Sequence, residues 1–236
     1  MHTPAPIFAY QEKPTLLDFP GKWAALLFVS GCNFRCGYCH NFDHLARRKT
    51  GITWGHLEKT CDRFKKDWVD GVVVSGGEPT LEPDLPRLIK YLRDRGFAVK
   101  LDTNGSRPDV LKQVLPDVTY IAMDIKCSLA RYPEFVAFAD TAAIACSVEL
   151  LKPLGRACEF RTTVVEGFHT PEEMRAIAPW LRGAARYVLQ PFLPRHNLPD
   201  DALRGKPRTS MDTLQALLAE VRRTVPELPV EIRRGG

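Results

Sequence analysis

Three cysteines lie close together in one short stretch of the chain, at Cys32, Cys36 and Cys39. Thiolates at positions i, i+4 and i+7 of a single loop can all turn toward one point. A [4Fe–4S] cluster normally takes four cysteine thiolates, so three local ligands would leave one iron with an open coordination position. An open position is where a metal centre can bind a substrate and do chemistry. The spacing therefore favours a catalytic iron–sulfur cluster over a simple electron carrier.

The same cysteine loop is compatible with three other kinds of site. Cysteines are often small buried apolar residues, and three of them could lie together by chance. A structural zinc site needs a fourth ligand, which His40 could supply although it directly follows Cys39. The run from Cys36 to His40 also fits a haem-attachment motif, which would require export. The residues alone leave these alternatives open.

Composition limits the class of protein. The chain has 236 residues, of which 44% are hydrophobic and 26% charged, as is typical of a globular protein. Its net charge of +5 gives no strong argument for a nucleic-acid partner. The N-terminal residues show no charged leader before an apolar stretch, and the apolar run at 24–29 is too short to span a bilayer. We therefore expect a cytoplasmic protein with no nucleic-acid and no membrane partner.

Strand-like and helix-like segments alternate along the chain. The predicted strands are 24–30, 71–75, 97–102, 119–125, 158–165 and 186–190, with a short final strand at 229–232. The predicted helices are 53–69 with Thr53 as N-cap, 85–95, 109–115, 141–151, 172–181 and 211–224, and a long loop covers 191–208. The alternation predicts an α/β fold with a parallel sheet and helices outside it. An open sheet and a partial (β/α) barrel both fit.

Polar residues follow several of the predicted strands, and α/β folds bind ligands at the carboxyl ends of their strands. The glycines at Gly76 and Gly77 would let a ligand approach the backbone. Glu78 could accept a hydrogen bond from an ammonium group or, alternatively, complement a helix start. Asp102, Thr103 and Asp124 bring oxygen atoms of the kind that hard cations prefer, although such residues also cap turns.

Three further polar residues stand at or within later strands. Lys126 could pair with the carboxylate of a ligand or with Asp124. Arg161 could reach inward to an anion or outward to water. Gln190 is a candidate for an adenine or ribose contact.

These motifs together resemble those of the radical S-adenosylmethionine (SAM) enzymes. The spacing Cys-x3-Cys-x2-Cys, with Tyr38 before the last cysteine, is the signature of that superfamily, and the run Gly-Gly-Glu-Pro at 76–79 resembles its second motif. Segments that resemble the glycyl-radical-enzyme activases are 18–22, 28–32, 39–41, 102–105 and 123–126. The branch most similar in these motifs is the anaerobic ribonucleoside-triphosphate reductase activating proteins.

The resemblance covers residues 15 to 192, and it implies a fold and a site. The fold would be a partial (β/α)6 barrel, in a single radical SAM domain over 1–236 with a C-terminal loop and helix at 193–236. The cluster would be held by Cys32, Cys36 and Cys39, and its unique iron would bind the amino and carboxylate groups of SAM. The other implied SAM contacts are Tyr38, Gly76, Gly77, Glu78, Lys126 and Arg161, and Gln190 is added as the candidate from its strand-end position.

The resemblance also implies a cation and a reaction. Asp102, Thr103 and Asp124 would form a site for a monovalent cation, K⁺ or Na⁺, beside the SAM carboxylate. Reduction of the cluster, by a donor of the flavodoxin or ferredoxin type, would cleave SAM to methionine and a 5′-deoxyadenosyl radical. In activases that radical takes a hydrogen atom from a backbone glycine of a partner glycyl radical enzyme.

We therefore expect an activase of an anaerobic ribonucleotide reductase. Two departures argue against a pyruvate formate-lyase partner: Trp23–Ala25 replaces a region where many such activases carry an arginine, and Leu193 replaces a histidine. The alternatives are another glycyl radical enzyme, including the pyruvate formate-lyase type, a small molecule or a peptide as substrate. An alternative of another class is a non-catalytic iron–sulfur or zinc binding protein.

Overall fold

The structure is a computed structural model that describes residues 4–42 and 49–234. The chain divides into two compact units. The first unit comprises Met1–Cys32, Asp43–Thr103 and Asp109–Ile121. The second unit comprises Asn33–Phe42, Asn104–Pro108 and Ala122–Gly236. The single-domain boundaries expected from the sequence stay a prediction.

Strands in the described ranges form an eight-stranded sheet in which each strand lies next to the one before it in the chain. They are β1 Ala9–Tyr10, β2 Ala24–Val29, β3 Gly71–Gly76, β4 Ala98–Thr103, β5 Tyr120–Asp124, β6 Cys158–Val164, β7 Tyr187–Pro191 and β8 Val230–Ile232. β1 pairs antiparallel with β2, whereas β2–β3, β3–β4, β6–β7 and β7–β8 pair in parallel. Within each unit, parallel neighbours end at the same edge, so the residues that follow them lie on one side of that unit.

Helices separate the strands, as the sequence predicts. The α-helices in the described part of the chain are α1 Trp54–Lys66, α2 Leu85–Asp94, α3 Pro108–Val114, α4 Tyr132–Val136, α5 Thr141–Leu151, α6 Pro171–Ile177, α7 Asp201–Arg204 and α8 Met211–Thr224. Short 3₁₀ turns occur at Pro79–Leu81, Leu115–Asp117, Leu129–Arg131, Lys152–Ala157 and Ala178–Leu181. No helix in residues 4–42 and 49–234 is both long enough and apolar enough to cross a bilayer.

The first unit is built on strands whose side chains are buried on both faces. Val72, Val73 and Val74 of β3 are all fully buried, as expected for a parallel strand covered on both sides. Helix α1 begins where the sequence predicts, because the Thr53 side chain accepts a hydrogen bond from the His56 amide at 3.1 Å. That bond satisfies one of the amide groups that a helix start leaves unpaired.

The second unit repeats this pattern with β6, β7 and β8. Residues Phe160 to Val164 pair in register with residues Tyr187 to Pro191. Helix α8 buries Leu214, Leu217 and Val221 at helical spacing, and Ser210 caps its start by accepting a hydrogen bond from the Thr213 amide. The helix packs against β7 and β8.

The predicted α/β alternation is confirmed, with four local differences. Helix α4, Tyr132–Val136, was not predicted from the sequence. Helix α6 ends at Ile177 and continues as the 3₁₀ turn Ala178–Leu181, because Pro179 cannot extend an α-helical hydrogen-bond ladder. The stretch predicted as one long loop contains the short helix Asp201–Arg204. Strand β1 was not predicted from the sequence, since two residues give no periodic signal.

Candidate functional site

The glycine turn after β3 is locked to the backbone segment that precedes Cys32. The Gly77 amide donates to the Val29 carbonyl at 3.0 Å, and the Glu78 amide donates to the Gly31 carbonyl at 2.9 Å. A Cβ atom on Gly77 would lie 1.8 Å from the Gly31 oxygen. Gly76 has a φ of +109°, which residues with side chains rarely adopt. Both glycines are therefore required for the chain to cross itself beside the first cysteine.

Glu78 is a buried carboxylate whose side chain is fixed by hydroxyl groups. It is only 1% exposed. Its Oε1 accepts hydrogen bonds from the Thr80 amide at 3.1 Å, the Thr80 hydroxyl at 2.5 Å and the Thr103 hydroxyl at 2.7 Å. The Thr80 contact makes it the N-cap of the turn Pro79–Leu81, which is the helix-start role considered from the sequence. A fixed, buried carboxylate is also suited to holding an ammonium group.

A buried lysine lies beside Asp102 on β4. The Lys100 ammonium is 2.6 Å from Asp102 Oδ1, and the Ser75 hydroxyl donates to Asp102 Oδ2 at 3.0 Å. The Lys100 side chain is 4% exposed and that of Asp102 is 16% exposed. The sequence reasoning missed Lys100. Its signal was the two-residue spacing from Asp102, which places both side chains on one face of a strand.

The second unit carries the other two cysteines in a tight turn. The Cys39 amide donates to the Cys36 carbonyl at 3.1 Å, and the Gly37 carbonyl accepts from the Asp200 amide at 3.2 Å. Burial raises the pKa of the Cys39 thiol, while a backbone hydrogen bond at Asn41 acts in the opposite direction. A bound metal would supply the positive charge that a partly buried thiolate needs.

Tyr38 is the apolar anchor of this cysteine turn. It is 7% exposed and belongs to a buried cluster with Phe192, Leu198 and Leu203. Its ring centre lies 5.6 Å from that of Phe135. The Tyr38 hydroxyl is buried and has no hydrogen-bond partner among the residues that the structure describes. The packing therefore holds the backbone between the two cysteines in place, and among the described residues it leaves the buried hydroxyl without a partner.

Asp124 at the end of β5 forms ion pairs with two basic side chains. Its Oδ1 accepts from Arg161 Nε, and its Oδ2 lies 2.8 Å from the Lys126 ammonium. Burial alone would raise the pKa of Asp124, but Arg161 and Lys126 outweigh it and hold that pKa well below its usual range. Burial would lower the pKa of Lys126, yet Asp124 raises it well above its ordinary value. The Lys126 ammonium also lies 5.6 Å from the centre of the Tyr38 ring.

A buried histidine that the sequence reasoning did not single out supports Lys126. His169 Nδ1 accepts a hydrogen bond from the Val165 amide at 2.9 Å, and its Nε2 lies 2.9 Å from the Lys126 carbonyl, to which it donates. Burial lowers the pKa of His169 to about 4. The ring is therefore neutral at physiological pH and bridges two loops of the second unit.

Gln190 lies at the end of β7, as predicted. Its side-chain amide donates to the Thr163 hydroxyl at 2.9 Å, and these two residues are paired in register. Leu193 follows β7 in the chain, and its carbonyl accepts a hydrogen bond from His40 Nε2 at 2.9 Å. The strand end of β7 is thereby tied to the residue that follows the third cysteine.

The predicted site residues fall into both units. The first unit contains Cys32, Gly76, Gly77, Glu78, Asp102 and Thr103, and the second contains Tyr38, Cys36, Cys39, Asp124, Lys126, Arg161 and Gln190. Within residues 4–42 and 49–234, no group of three or more His, Cys, Asp or Glu side chains is placed to hold one metal ion. Cysteine thiolates are nevertheless the donors that an iron–sulfur cluster takes, and the three-cysteine ligand set stays a prediction.

Comparison with known proteins identifies the family. Residues 26–181 match the model of the radical SAM superfamily. A Methanocaldococcus jannaschii protein with the provisional name glycyl-radical enzyme activating enzyme is 33% identical over 76% of this chain and 77% of its own length. The pyruvate formate-lyase-activating enzyme of Streptococcus mutans is 28% identical over 75% of this chain and 73% of its own.

A solved structure has the same fold. The structure of TYW1 with a lysine–pyruvate adduct bound superposes with a TM-score of 0.63 at 18% identity, over 86% of this chain and 74% of that one. The match supports the α/β fold class of the radical SAM type. The family model, which matches about two thirds of the chain, and the two relatives indicate the same family. That family implies a [4Fe–4S] cluster and SAM as cofactors. The chain belongs to the radical SAM superfamily and is related to the glycyl-radical-enzyme activases.

Proposed function

We propose that this chain is an activase that cleaves SAM reductively and generates a glycyl radical on a partner enzyme. The observation that carries the proposal is the pairing of the Cys-x3-Cys-x2-Cys spacing with the glycine turn bonded to the segment before Cys32. In the first unit, Gly77 and Glu78 donate their amides to Val29 and Gly31, so the second motif is fixed beside the first cysteine. The activating-enzyme relatives support the same reaction class.

The three cysteines are the proposed cluster ligands. Three thiolates suit a cluster with one iron left for a ligand, and their close spacing allows one loop to supply all three. When bound, the cluster supplies the electron that cleaves SAM to methionine and a 5′-deoxyadenosyl radical. The protein contributes orientation and exclusion of water. The buried apolar cluster around Tyr38 in the second unit is proposed to contribute to that exclusion.

The charged residues of each unit are the proposed contacts of SAM. Glu78 is buried and oriented by Thr80 and Thr103, so its carboxylate is fixed before it receives the methionine ammonium. In the second unit, Lys126 and Arg161 keep their positive charges next to Asp124. They can therefore attract the carboxylate or the ribose hydroxyls of SAM. Gln190 and the Tyr38 backbone are proposed to contact the adenosine part.

The proposed partner is an anaerobic ribonucleotide reductase. The support is the set of activase-like motifs together with Leu193, which stands where pyruvate formate-lyase activases carry a histidine. The Leu193 carbonyl is held by His40. A flavodoxin or ferredoxin-type protein is the proposed electron donor. The proposed location is the cytoplasm, where thiols stay reduced.

Anaerobic incubation of the purified chain with SAM and dithionite tests the reaction. We expect 5′-deoxyadenosine to form, and to fall to background in the Cys36→Ala variant. Electron paramagnetic resonance on a candidate ribonucleotide reductase should then show a glycyl radical that depends on SAM. If 5′-deoxyadenosine forms but no candidate glycyl radical enzyme gains a radical, the substrate is a small molecule or a peptide. Equal background levels in the chain and in Cys36→Ala would contradict radical SAM chemistry, and a non-catalytic metal protein would remain.

A further inference from the structure

Lys100 is a buried cation whose ammonium lies against a carboxylate. Its side chain is 4% exposed, and its ammonium is 2.6 Å from Asp102 Oδ1. The flanking residues on the opposite face of β4, Val99 and Leu101, are fully buried. A lysine ammonium in such surroundings is costly unless a partner of opposite charge accompanies it. The lysine and the aspartate therefore form an ion pair in the folded protein.

The strand neighbour of Lys100 in the first unit is apolar. Val73, which is paired with Lys100 in the register of β3 and β4, belongs to a buried cluster with Phe19, Ala24 and Tyr120. At the end of β3 the Ser75 hydroxyl donates to the other oxygen of Asp102 at 3.0 Å. The chain thus supplies both a full positive charge and a hydrogen-bond donor to this one carboxylate.

The three residues predicted from the sequence as cation ligands all have hydrogen-bond or ion-pair partners within their own units. Asp102 has Lys100 and Ser75, as described, and the Thr103 hydroxyl donates to Glu78. In the second unit, Asp124 has Arg161 and Lys126. An ammonium group and a K⁺ ion carry the same charge, so each can neutralise a carboxylate. A second cation at Asp102 would be repelled by the first.

We propose that Lys100 supplies from within the chain the positive charge at Asp102 that a free K⁺ or Na⁺ would otherwise provide. The role of Lys100 is therefore to position Asp102 and balance its charge, and SAM binding in this protein does not require a monovalent cation. This inference rests on the proposed function for its SAM part. The ion pair itself depends only on the geometry of β3 and β4.

The first experiment measures unfolding of the full chain, purified without oxygen, in K⁺, Na⁺ or tetramethylammonium chloride at constant ionic strength. The unfolding midpoint of the wild type should be the same in all three salts. Lys100→Met leaves the half-buried Asp102 without its cation, so the unfolding midpoint of the variant in tetramethylammonium should fall by roughly 10 °C, and K⁺ should restore part of the loss. Lys90→Met, which breaks the exposed pair Lys90–Asp94, is the matched control and should show no cation dependence.

A second variant keeps the inference testable if Lys100→Met does not fold. Lys100→Met combined with Asp102→Asn removes both charges, and it should fold and be indifferent to K⁺. The SAM dissociation constant, measured by calorimetry, is the second readout. For the wild type it should stay within about twofold across the three salts, and for Lys100→Met it should tighten by about tenfold in K⁺ relative to tetramethylammonium, a 1.4 kcal/mol change.

Two outcomes would overturn the role of Lys100. One is a wild type whose SAM affinity or midpoint requires K⁺ or Na⁺. The other is a folded Lys100→Met variant with wild-type affinity and midpoint in tetramethylammonium. Failure of the proposed function gives another result: the wild type would not bind SAM in any salt. The dependence of the unfolding midpoint on the cation would still test the role of Lys100.

Discussion

The hydroxyl of Thr103 at the end of β4 donates a hydrogen bond to the buried carboxylate of Glu78, with 2.7 Å between the two oxygens. This contact joins two sequence motifs that lie 25 residues apart and follow neighbouring parallel strands. Thr103 is 3% exposed and Glu78 is 1% exposed. A buried carboxylate is stable only when its oxygens have donors. The threonine therefore helps to set the position of the carboxylate proposed to hold the methionine ammonium.

Replacement of Thr103 by valine should weaken both the fold and the site. The variant keeps the shape of the side chain but removes the donor, so the free energy of unfolding should fall by about 1–3 kcal/mol. SAM affinity should fall as well, because Glu78 loses one of the bonds that orient it. Thr103→Ser, which keeps the hydroxyl, is the control and should retain affinity. Urea unfolding and SAM titration measure the two effects, and equal behaviour of valine and serine variants would show that the hydroxyl is dispensable.

Substitution of Gly77 by alanine should prevent the turn after β3 from forming. The new Cβ would lie 1.8 Å from the Gly31 carbonyl oxygen, and that contact can be relieved only by moving backbone that carries two hydrogen bonds. We expect loss of soluble folded protein, or destabilisation by roughly 3 kcal/mol or more.

Gly55→Ala is the matched control for this prediction. Gly55 lies in α1, and apart from its chain neighbours and the backbone of its own helix no atom lies within 4 Å of the added Cβ, so alanine should stabilise the protein by about 0.5–1 kcal/mol. Circular dichroism during thermal unfolding compares the two variants. A Gly77→Ala protein that unfolds at the wild-type temperature would contradict the close crossing of the two segments.

Local signals explain why much of the fold could be predicted. Thr53 caps α1 through its own side chain. In the same way Ser210 caps the start of α8, and the buried apolar residues of that helix repeat at helical spacing. Both depend on residues that are near each other in the chain. The strand ends were equally visible, because buried runs such as 71–75 stop at glycines or polar residues.

Contacts between distant segments explain what could not be predicted. The bonding of Thr103 to Glu78 depends on the register of two strands, which residue types do not specify. The pairing of Lys100 with Asp102 has a local signal, but its burial depends on the sheet around it. His169 interacts with the Lys126 carbonyl across 43 residues, and a lone histidine in a loop gives no sign of such a bond. The sequence could therefore propose candidate site residues, but not the hydrogen bonds and ion pairs that connect them.

Acid should destabilise the second unit through His169. Burial lowers the pKa of this histidine to about 4, although the Lys126 carbonyl and Glu173 act in the opposite direction. The unfolded chain has a histidine pKa near its ordinary value of about 6.5, so between pH 6.5 and 4 the unfolded state binds more protons. The stabilisation is fully present above that window and is lost as the pH falls through it, by about 3 kcal/mol in total.

The His169→Gln variant isolates this contribution. Glutamine can still donate to the Lys126 carbonyl but does not titrate, so the fall in unfolding free energy between pH 6.5 and 4 should be smaller than in the wild type. Other carboxyl groups titrate in both proteins, and their effect cancels when the two slopes are subtracted. Urea unfolding at a series of pH values provides the slopes. Parallel curves for the two proteins would mean that His169 is protonated in the folded state.

The Tyr38→Phe variant separates the contribution of the ring to stability from that of the hydroxyl at the cysteine turn. The Tyr38 ring packs with Phe135 and Phe192, whereas its hydroxyl is buried without a partner in the described residues. Burying a polar atom without a hydrogen bond costs about 1–3 kcal/mol, so removal of the hydroxyl should leave the chain as stable as the wild type or more stable. Tyr38→Ala, which empties the same space, should destabilise by about 3–5 kcal/mol. If Tyr38→Phe is instead less stable in chemical unfolding, the hydroxyl has a bonding partner, such as a water molecule, that contributes to the fold.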